Sequence, residues 1–432
     1  MSKQAPRIFI SAGEASGDAY GAAILRELAQ RMPAVSFSGL GGAQMEAAGQ
    51  QRIVRAEDVA VMGVTEILRH IPHIYASYRK LVRHIREQKP DVAVLIDFPD
   101  VNFRLAKHLH RVGVPVIWFV SPQLWAWKRG RLRWVQERVS RMMVIFPFEE
   151  TFYRARGVEA EFVGHPLTEL PPVTSTREEY AERFGLDPEK MWIALLPGSR
   201  WKEIRANLPA LHELAMSDFI AAAASGTTFT GNDLHTPSQP AAATQFEFLL
   251  PVASTIRPDD LRAYITELNR EHLRYFGPEA AAVRLTLVPD AREAMTHARA
   301  SVVASGTATV LAALVGNPFV VVYKVSSLTF ALAKQLVEYP AEMRTPLDEV
   351  GNLPVAMANL IAGYRLVPEL LQKRFTAQRV AQELAPLLVE GAPRERQLHG
   401  LAGVRQSLTT TGRSATERVA DAVVRALGLA SG

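Results

Sequence analysis

The chain has 432 residues, which is too long for one ordinary core and predicts two domains. It contains no cysteine, which excludes disulfide scaffolds, cysteine-ligated zinc and thiol catalysis, and is compatible with a reducing cytoplasm. Its net charge of +5 favours anionic partners such as nucleotides, sugar phosphates or lipid surfaces. Zinc-finger spacing and RNA-binding aromatic signatures are both missing, so no nucleic-acid partner is expected.

The N-terminal half alternates short apolar runs with longer amphipathic ones. The apolar runs predict strands over 7–11, 91–97, 114–121 and 141–148. Their nearly continuous apolar character indicates burial on both faces, as in a parallel sheet. The first strand follows "MSKQAP" directly, so no signal peptide is expected. No run reaches the roughly 18 apolar residues that span a bilayer, which predicts a soluble or peripheral protein.

A second α/β series follows a stretch rich in Pro and Thr over 164–179, which is typical of an interdomain linker. Its strands are predicted over 192–198, 246–253, 284–289, 300–306 and 319–325. The expected fold class is therefore α/β, with two Rossmann-like domains facing a cleft and ligands at the carboxyl ends of the strands.

The expected domains are 1–170, 171–395 and a set of C-terminal helices over 396–432 that can pack back on the N-terminal domain. Residues 217–245 are rich in Ala, Thr, Ser and Gly without apolar periodicity, which predicts a flexible surface insertion in the second domain. The pattern Ser414-x-x-Glu417 predicts the start of an amphipathic helix.

Two glycine-containing turns suit the binding of anions. "LPGSRWKEI" (196–204) ends a strand in a turn before a helix, where Arg200 can hold a phosphate or carboxylate through its rigid fork. "ASGTATV" (304–310) places hydroxyls and backbone amides at a helix start, an arrangement that suits a diphosphate. A solvated loop arginine and ordinary helix capping are the alternatives.

Three further stretches mix functional residue types with an ordinary structural alternative. "SAGEASGD" (11–18) lets the backbone approach a ligand, but its spacing is not that of a dinucleotide site, and it also suits a packed strand–helix turn. "SPQLWAWKRGR" (121–131) could hold an acyl chain with its anionic head, or pack tryptophans in a core. Residues 69–89 form a basic amphipathic segment that suits either a membrane surface or a solvated helix face.

Taken together and in order, these segments resemble lipid-A-disaccharide synthase, an inverting glycosyltransferase family of the two-Rossmann GT-B type. The matching segments are "SAGEASGD", "GLGGAQMEAAG" (39–49), "VMGVTEIL" (61–68), "IDFPDVNF" (96–103), "SPQLWAWKRGR", "FVGHPL" (162–167), "LPGSR", "ASGTAT" and "NLIAGYRLVPELLQ" (359–372). The resemblance covers nearly the whole chain outside 217–245 and roughly 340–355.

The resemblance implies a reaction of Gram-negative outer-membrane biogenesis. A UDP-activated 2,3-diacylglucosamine would donate its sugar to the 6-hydroxyl of 2,3-diacylglucosamine 1-phosphate, giving lipid A disaccharide 1-phosphate and UDP. The implied protein is cytoplasmic and peripheral on the inner membrane, uses no metal or other cofactor, and can pair as a homodimer.

The resemblance also implies roles for individual residues. Asp97 matches the catalytic aspartate, and a strand-end carboxylate can take the acceptor proton. Arg200 matches the essential arginine, which would offset charge on the diphosphate. The nucleotide-sugar side would comprise Gly198, Ser199, Arg200, Ser305, Gly306, Thr307, Asn359 and Gln372. The acceptor side would comprise Glu14, Ser16, Asp18, Asp100, Trp125, Trp127, Lys128 and Arg129, with Asp100 turned away from Asp97 by Pro99.

The sequence departs from the family where a glutamate usually follows "SGTATV", because that position is Leu311, which can accept no hydrogen bond. The 217–245 insertion is a second departure, and Ala358 stands where a proline often precedes Asn359. Two alternatives therefore stay open. The chain could be a UDP-sugar epimerase on the same fold, or a catalytically silent lipid-binding relative that kept the scaffold.

Overall fold

The computed structural model describes residues 5–59, 64–217, 219–224, 245–277, 285–343 and 345–429. The chain divides into two compact units. The first comprises Met1–Glu169, Val337–Glu342 and Leu408–Gly432, and the second comprises Leu170–Leu336 and Met343–Ser407.

The first unit is built on a parallel sheet of seven strands in the order β3-β2-β1-β4-β5-β6-β7. The strands are β1 (Arg7–Ala12), β2 (Ser36–Gly41), β3 (Gln50–Arg55), β4 (Val92–Ile96), β5 (Val116–Phe119), β6 (Arg141–Val144) and β7 (Ala160–Phe162). Every residue of β4 and β5 is buried, which explains their continuous apolar sequence. The strand order reverses between β1 and β4, and such a switch point is where open α/β sheets bind ligands.

Helices cover this sheet. They are α1 (Ala15–Arg31), α2 (Ala43–Ala47), α3 (Ala56–Val59), α4 (Val64–Gln88), α5 (Pro99–Arg111), α6 (Leu132–Arg138) and α7 (Pro147–Arg154), with short 3-10 turns over Arg129–Arg131 and Pro166–Glu169. A third 3-10 turn, Ala341–Met343, begins in this unit and ends on the first residue of the next segment of the second unit. Helix α1 buries Ile24, Leu25 and Leu28 on one face, as its spacing predicts. Helix α5 opens with Pro99, whose fixed φ suits a first helical position.

The second unit carries a parallel sheet of six strands in the order β10-β9-β8-β11-β12-β13. The strands are β8 (Met191–Leu196), β9 (Phe246–Pro251), β10 (Leu285–Val288), β11 (Ala300–Ala304), β12 (Phe319–Tyr323) and β13 (Glu369–Leu371). The strand order reverses between β8 and β11, which places this unit's switch point where "LPGSR" and "ASGTATV" leave the sheet.

The helices of the second unit are α8 (Arg177–Phe184), α9 (Trp201–Met216), α10 (Phe219–Ala224), α11 (Pro258–Phe276), α12 (Ala291–His297), α13 (Thr307–Val315), α14 (Ser327–Leu336), α15 (Met357–Ala362), α16 (Ala377–Leu388) and α17 (Ala392–Leu408), with a 3-10 turn over Gln372–Arg374. Within the described residues, no helix is both long and apolar enough to cross a bilayer.

Helix α10 corrects one expectation. The sequence predicts a flexible insertion over 217–245, but Phe219–Ala224 is helical and packs against α16. Phe219 and Ile220 are buried in the core of the second unit, so burial of two large apolar side chains overrides the low-complexity composition. Residues 225–244 lie outside the described part of the chain.

The last helix, α18 (Ala415–Ala426), belongs to the first unit and packs against α1. Its predicted capping box is confirmed, since the hydroxyl of Ser414 accepts from the backbone N–H of Glu417 and the carboxylate of Glu417 accepts in return. The guanidinium of Arg31 on α1 donates to the carboxylate of Asp421 at 2.5 Å. The C-terminal helices are therefore divided between the units, because α17 lies almost wholly in the second.

Candidate active site

Asp97 lies directly after β4, at the switch point of the first sheet. It and Phe98 have left-handed backbone conformations, with φ of +43° and +48°. A non-glycine residue held in this region costs about 1–3 kcal/mol, and such strain concentrates at functional sites. The turn thus holds the aspartate in a fixed position at the edge of the sheet.

Asn102 on α5 supports this turn from below. It is fully buried, and its side-chain nitrogen donates to the carbonyl oxygen of Asp97 at 2.7 Å and of Ile96 at 3.2 Å. Its side-chain oxygen accepts from the hydroxyl of Ser11, at the end of β1, at 2.7 Å. Sequence reasoning missed both residues, although a polar pair inside two apolar stretches was the available signal.

The loop after β1 meets the same turn. A Cβ on Gly13 would lie only 2.4 Å from the ring of Phe98, so no larger residue fits there without displacement of the ring. Burial and, to a smaller extent, the negative charge of Glu14 together raise the pKa of Asp97 to about 6, while the backbone N–H of Phe98 opposes the shift. The structure therefore brings Glu14 near Asp97 in the first unit. A carboxylate with such a pKa is ionised at neutral pH yet basic enough to accept a proton.

Asp18 is not available to a substrate in the way the sequence suggested. Its carboxylate accepts from the backbone N–H groups of Gly42, Gln44 and Met45 at 2.8, 3.0 and 3.1 Å. These bonds cap the start of α2, so Asp18 holds the fold. Ser16 is exposed beside Glu14 near the start of α1.

Trp125 is likewise a packing residue. It is 2% exposed, and its indole N–H donates to the carboxyl group of Glu149 at 3.1 Å. Burial raises the pKa of Glu149 to about 8. The hydrogen bonds that Glu149 accepts, first among them the one from Trp125, lower this pKa and only partly offset the effect of burial. Of the two tryptophans only Trp127 is exposed, with the ammonium of Lys128 4.1 Å from its ring centroid.

The remaining acceptor-side candidates are surface residues. Asp100 is exposed to solvent and pairs with Arg131 at 2.9 Å. Arg129 donates to the backbone carbonyl of Glu338, which belongs to the same unit.

In the second unit, the turn before α9 is fixed by Glu203. Its carboxylate accepts from the backbone N–H of Ser199 at 2.8 Å and of Arg200 at 3.3 Å. Gly198 has φ of +128°, and a Cβ there would lie 2.5 Å from the Glu203 side chain. The Arg200 side chain is 74% exposed, so its guanidinium is accessible to a ligand at this edge of the sheet.

The turn before α13 offers backbone donors. Gly306 is the N-terminal cap with φ of +149° and provides no side chain to satisfy the helix's first N–H groups, and Thr307 is exposed. Unpaired N–H groups at a helix start favour an anion. Ser305 anchors this turn by donating from its hydroxyl to the carbonyl of Val355 at 3.1 Å. Leu311 is half-buried one turn further along α13.

Asn359 and Gln372 differ in availability. Asn359 is fully buried, and its amide bonds Val367 and Glu369, so it shapes the segment that leads to β13. Gln372 has φ of +54°, and its side-chain oxygen accepts from the N–H of Val325. Its side-chain nitrogen is buried without a hydrogen-bond partner in the described part of the chain. A buried orphan donor at a strand end indicates a place for a ligand acceptor.

Comparison with known proteins identifies the family. Residues 8–219 and 261–423 match the family described as "Lipid-A-disaccharide synthetase". This chain belongs to the lipid-A-disaccharide synthase family. Similar proteins named "Lipid-A-disaccharide synthase" occur in Acidobacterium capsulatum, at 51% identity over 96% of this chain and 95% of the relative, and in Koribacter versatilis, at 46% over 97% and 98%. A third, from Myxococcus xanthus, is 39% identical over 98% of both chains.

Solved structures place this lipid-A-disaccharide synthase family member in the GT-B fold, as the sequence predicts. The UDP-GlcNAc 2-epimerase of Neisseria meningitidis, bound to UDP-GlcNAc, has a TM-score of 0.57 at 11% identity, covering 97% of this chain and 100% of that one. The calicheamicin glycosyltransferase CalG4 has a TM-score of 0.52 at 16% identity, covering both chains fully. An epimerase and a transferase share the fold, so the family and not the fold separates them.

Proposed function

We propose that this chain transfers the sugar of UDP-2,3-diacylglucosamine to the 6-hydroxyl of 2,3-diacylglucosamine 1-phosphate, with inversion and release of UDP. The observation that carries the proposal is Asp97. In a chain of this family, a half-buried carboxylate of raised pKa, on a strained backbone turn, lies at the switch point of the first sheet. Family membership does not support the epimerase or the silent lipid-binding protein.

The chemistry assigns Asp97 the role of general base. Its carboxylate takes the proton of the acceptor 6-hydroxyl while that oxygen bonds to the anomeric carbon from the face opposite UDP. The bond from that carbon to the diphosphate oxygen breaks as the new one forms, and its electron pair leaves with UDP. A positioned base of this kind typically contributes about 10²–10⁴-fold to the rate.

On the donor side, the proposed ligands of the diphosphate are Arg200 and the N-terminus of α13 at Gly306 and Thr307. The arginine supplies a fixed positive charge, and the helix start supplies backbone donors, as charge develops on the leaving group. Gln372 would donate its orphan N–H to an oxygen of the nucleotide sugar. Asn359 would hold the segment around β13 without touching the substrate.

We also propose that the protein works on the cytoplasmic face of the inner membrane, because both sugars carry acyl chains. The C-terminal half of α4 buries Leu81 and Ile85 while Arg79, Lys80 and Arg83 are exposed. Such a basic face would attract anionic lipid headgroups. Formation of a homodimer stays a prediction.

The test of the reaction is disaccharide formation from the two purified substrates by the wild type, by Asp97→Asn and by Asp91→Asn. Asp91 is a matched control, because it is an exposed carboxylate that directly precedes the first residue of β4, whereas Asp97 directly follows the last. Its carboxylate accepts from the backbone N–H of Arg7. We expect product from the wild type and the control only, with UDP binding intact in Asp97→Asn by calorimetry.

Other outcomes would revise the proposal in distinct ways. A wild type that binds UDP but makes no disaccharide contradicts the reaction. Conversion of UDP-N-acetylglucosamine to its epimer without acceptor would establish the epimerase instead. Full activity in Asp97→Asn would retain the reaction but assign its base to another residue.

A further inference from the structure

A basic groove lies on the first unit beside the start of α5. It is open, has a volume of about 770 Å³, and is lined by Lys128, Arg129, Gly130, Arg131, Leu132, Arg133, Trp134 and Gln136. Four of these eight residues are cations. Binding sites for small molecules commonly have about 300–1,000 Å³, so a sugar phosphate fits.

The positive charge of the groove is only partly balanced. Arg131 pairs with Asp100 at 2.9 Å, and Arg129 pairs with Glu338 at 3.4 Å. In the described ranges of the chain, neither Lys128 nor Arg133 pairs with a carboxylate. A groove with surplus cations attracts an anion, and unpaired ones bind it without first giving up a partner.

Part of the groove is fixed in place before any ligand arrives. The guanidinium of Arg131 lies 5.8 Å from the ring centroid of Phe103 and 5.6 Å from that of Trp134. These rings and Asp100 together restrict the arginine, which reduces the entropy that binding would cost. Lys128, which also lines the groove, has a left-handed backbone with φ of +54°.

The groove is linked to Asp97 through the start of α5. Asp100, which contacts Arg131, follows Asp97 by three residues, on the first turn of α5. In the acceptor, C1 and C5 flank the ring oxygen, so the 1-phosphate and the 6-hydroxyl lie on the same edge of the sugar. A sugar whose hydroxyl reaches Asp97 therefore holds its phosphate a short distance away, and the first turn of α5, where Asp100 contacts Arg131, rises about 5 Å.

We propose that this groove binds the 1-phosphate of the acceptor sugar through Lys128, Arg131 and Arg133. This assignment rests on the proposed transfer reaction. It gives the acceptor's phosphate a binding site on the first unit, whereas the proposed ligands of the UDP diphosphate belong to the second unit. A phosphate monoester carries close to two negative charges and accepts several charge-assisted hydrogen bonds, which suits a groove lined by these three cations.

The test compares two acceptors, 2,3-diacylglucosamine with and without its 1-phosphate, in neutral detergent micelles. The proteins are the wild type, the double variant Lys128→Gln/Arg133→Gln, and Arg26→Gln, an exposed arginine of α1 outside the groove. Arg131 is left intact because it also contacts Asp100, Phe103 and Trp134.

For the wild type and the control, we expect removal of the phosphate to raise the acceptor KM by about 10- to 100-fold, as loss of charged hydrogen bonds would. The double variant should lose most of this difference, with kcat and the KM for the UDP donor close to the wild-type values. A double variant that keeps the full wild-type preference for the phosphate overturns the proposal.

Calorimetry of the phosphorylated acceptor without donor separates the groove from the reaction. If the double variant binds the phosphorylated acceptor more weakly than the wild type does, but the wild type shows no turnover, the groove is supported and the transferase reaction is wrong. If the two proteins bind this acceptor equally, the proposed groove is wrong. Membrane headgroups are a second source of phosphate. If the double variant fails to sediment with vesicles of equal phosphatidylglycerol and phosphatidylcholine but keeps its phosphate preference in micelles, the groove binds the bilayer and the proposal is wrong.

Discussion

The side-chain amide of Asn102 donates to the main-chain carbonyl of Asp97 at 2.7 Å, and this bond holds the proposed base from beneath. The same side chain accepts from Ser11, so the ends of β1 and β4 are joined through one buried amide. The two left-handed residues at 97 and 98 are unfavourable by themselves and need such a support. Asn102 is thus a positioning residue for Asp97.

Replacement of Asn102 should lower turnover more than substrate binding. In Asn102→Ala the turn loses its support and Ser11 loses its partner, which should cost about 1–3 kcal/mol of stability. We expect kcat to fall by about 10-fold or more, since a small displacement of a catalytic group is costly, with little change in either KM. Ser11→Ala, which leaves the bonds to Asp97 and Ile96 in place, should be milder. Steady-state kinetics well below the melting temperature test this, and a variant that is only less stable would contradict it.

The raised pKa of Asp97 has opposite consequences for activity and stability. Because the base must be ionised, kcat/KM should fall as the pH drops through about 6. The folded-state pKa lies above the ordinary value of 3.8, so the native protein holds this proton more tightly than the unfolded chain. Stability is therefore lost as the pH rises from about 4 to 6, and the whole cost is present above that window.

Asp97→Asn should consequently raise the free energy of unfolding at pH 7.5 by about 1–2 kcal/mol while it abolishes transfer. The gain should vanish only at about pH 3 or below, where the carboxyl is protonated in the folded and in the unfolded chain. Chemical denaturation at the two pH values measures this difference. A variant less stable than the wild type at pH 7.5 would show that the carboxylate serves the fold.

Arg200 should matter for UDP binding and for turnover alike. We expect Arg200→Ala to weaken UDP binding by about 10- to 100-fold, as loss of a charged hydrogen bond would. Arg200→Lys keeps the charge but not the fork and should fall between. Arg205→Ala, an exposed arginine on the next turn of α9, is the matched control. Calorimetry with UDP measures the affinities, and wild-type affinity in Arg200→Ala would remove this residue from the site.

The strands that sequence predicts well are those whose two faces are both buried. All nine predicted strands lie on apolar runs, most of them buried on both faces, whereas β2, β3, β7 and β13 were not predicted. Strand β2 carries two glycines, β3 is a polar edge strand, and β7 and β13 have three residues each. Neighbouring strands stabilise these four, and no local pattern records such a contact.

The sequence could predict which residue types lie at the site and in which motifs they stand, but not their tertiary contacts. Asp97, Arg200 and Gly306 lie at strand ends that the apolar runs locate. The burial of Trp125 and the capping by Asp18 depend on partners 24 residues away. These partners lie outside the motifs that contain Trp125 and Asp18, so the motifs alone could not predict the contacts. The unpaired side-chain nitrogen of Gln372 could not be predicted either, because only the folded structure shows that no acceptor lies within hydrogen-bond distance of it in the described residues.

Leu311 offers the last prediction, because it stands where the family usually has a glutamate. It is half-buried on α13, one turn beyond the proposed diphosphate site at Gly306. A carboxylate there could accept from the ribose hydroxyls of UDP, a contact of about 1–3 kcal/mol. We expect Leu311→Glu to tighten UDP binding measurably, and Leu311→Gln, which lacks the charge, to do so less.

Calorimetry with UDP and with its 2′,3′-dideoxy analogue isolates the ribose contact. The gain in Leu311→Glu should be present with UDP and absent with the analogue, because the analogue has no hydroxyl to donate. An equal gain with both nucleotides would assign the effect to the added charge elsewhere in the site. A lower melting temperature without tighter binding would mean that the leucine belongs to the packed face of α13. There the free-energy cost of burying a carboxylate would exceed the gain from its hydrogen bonds to the ribose.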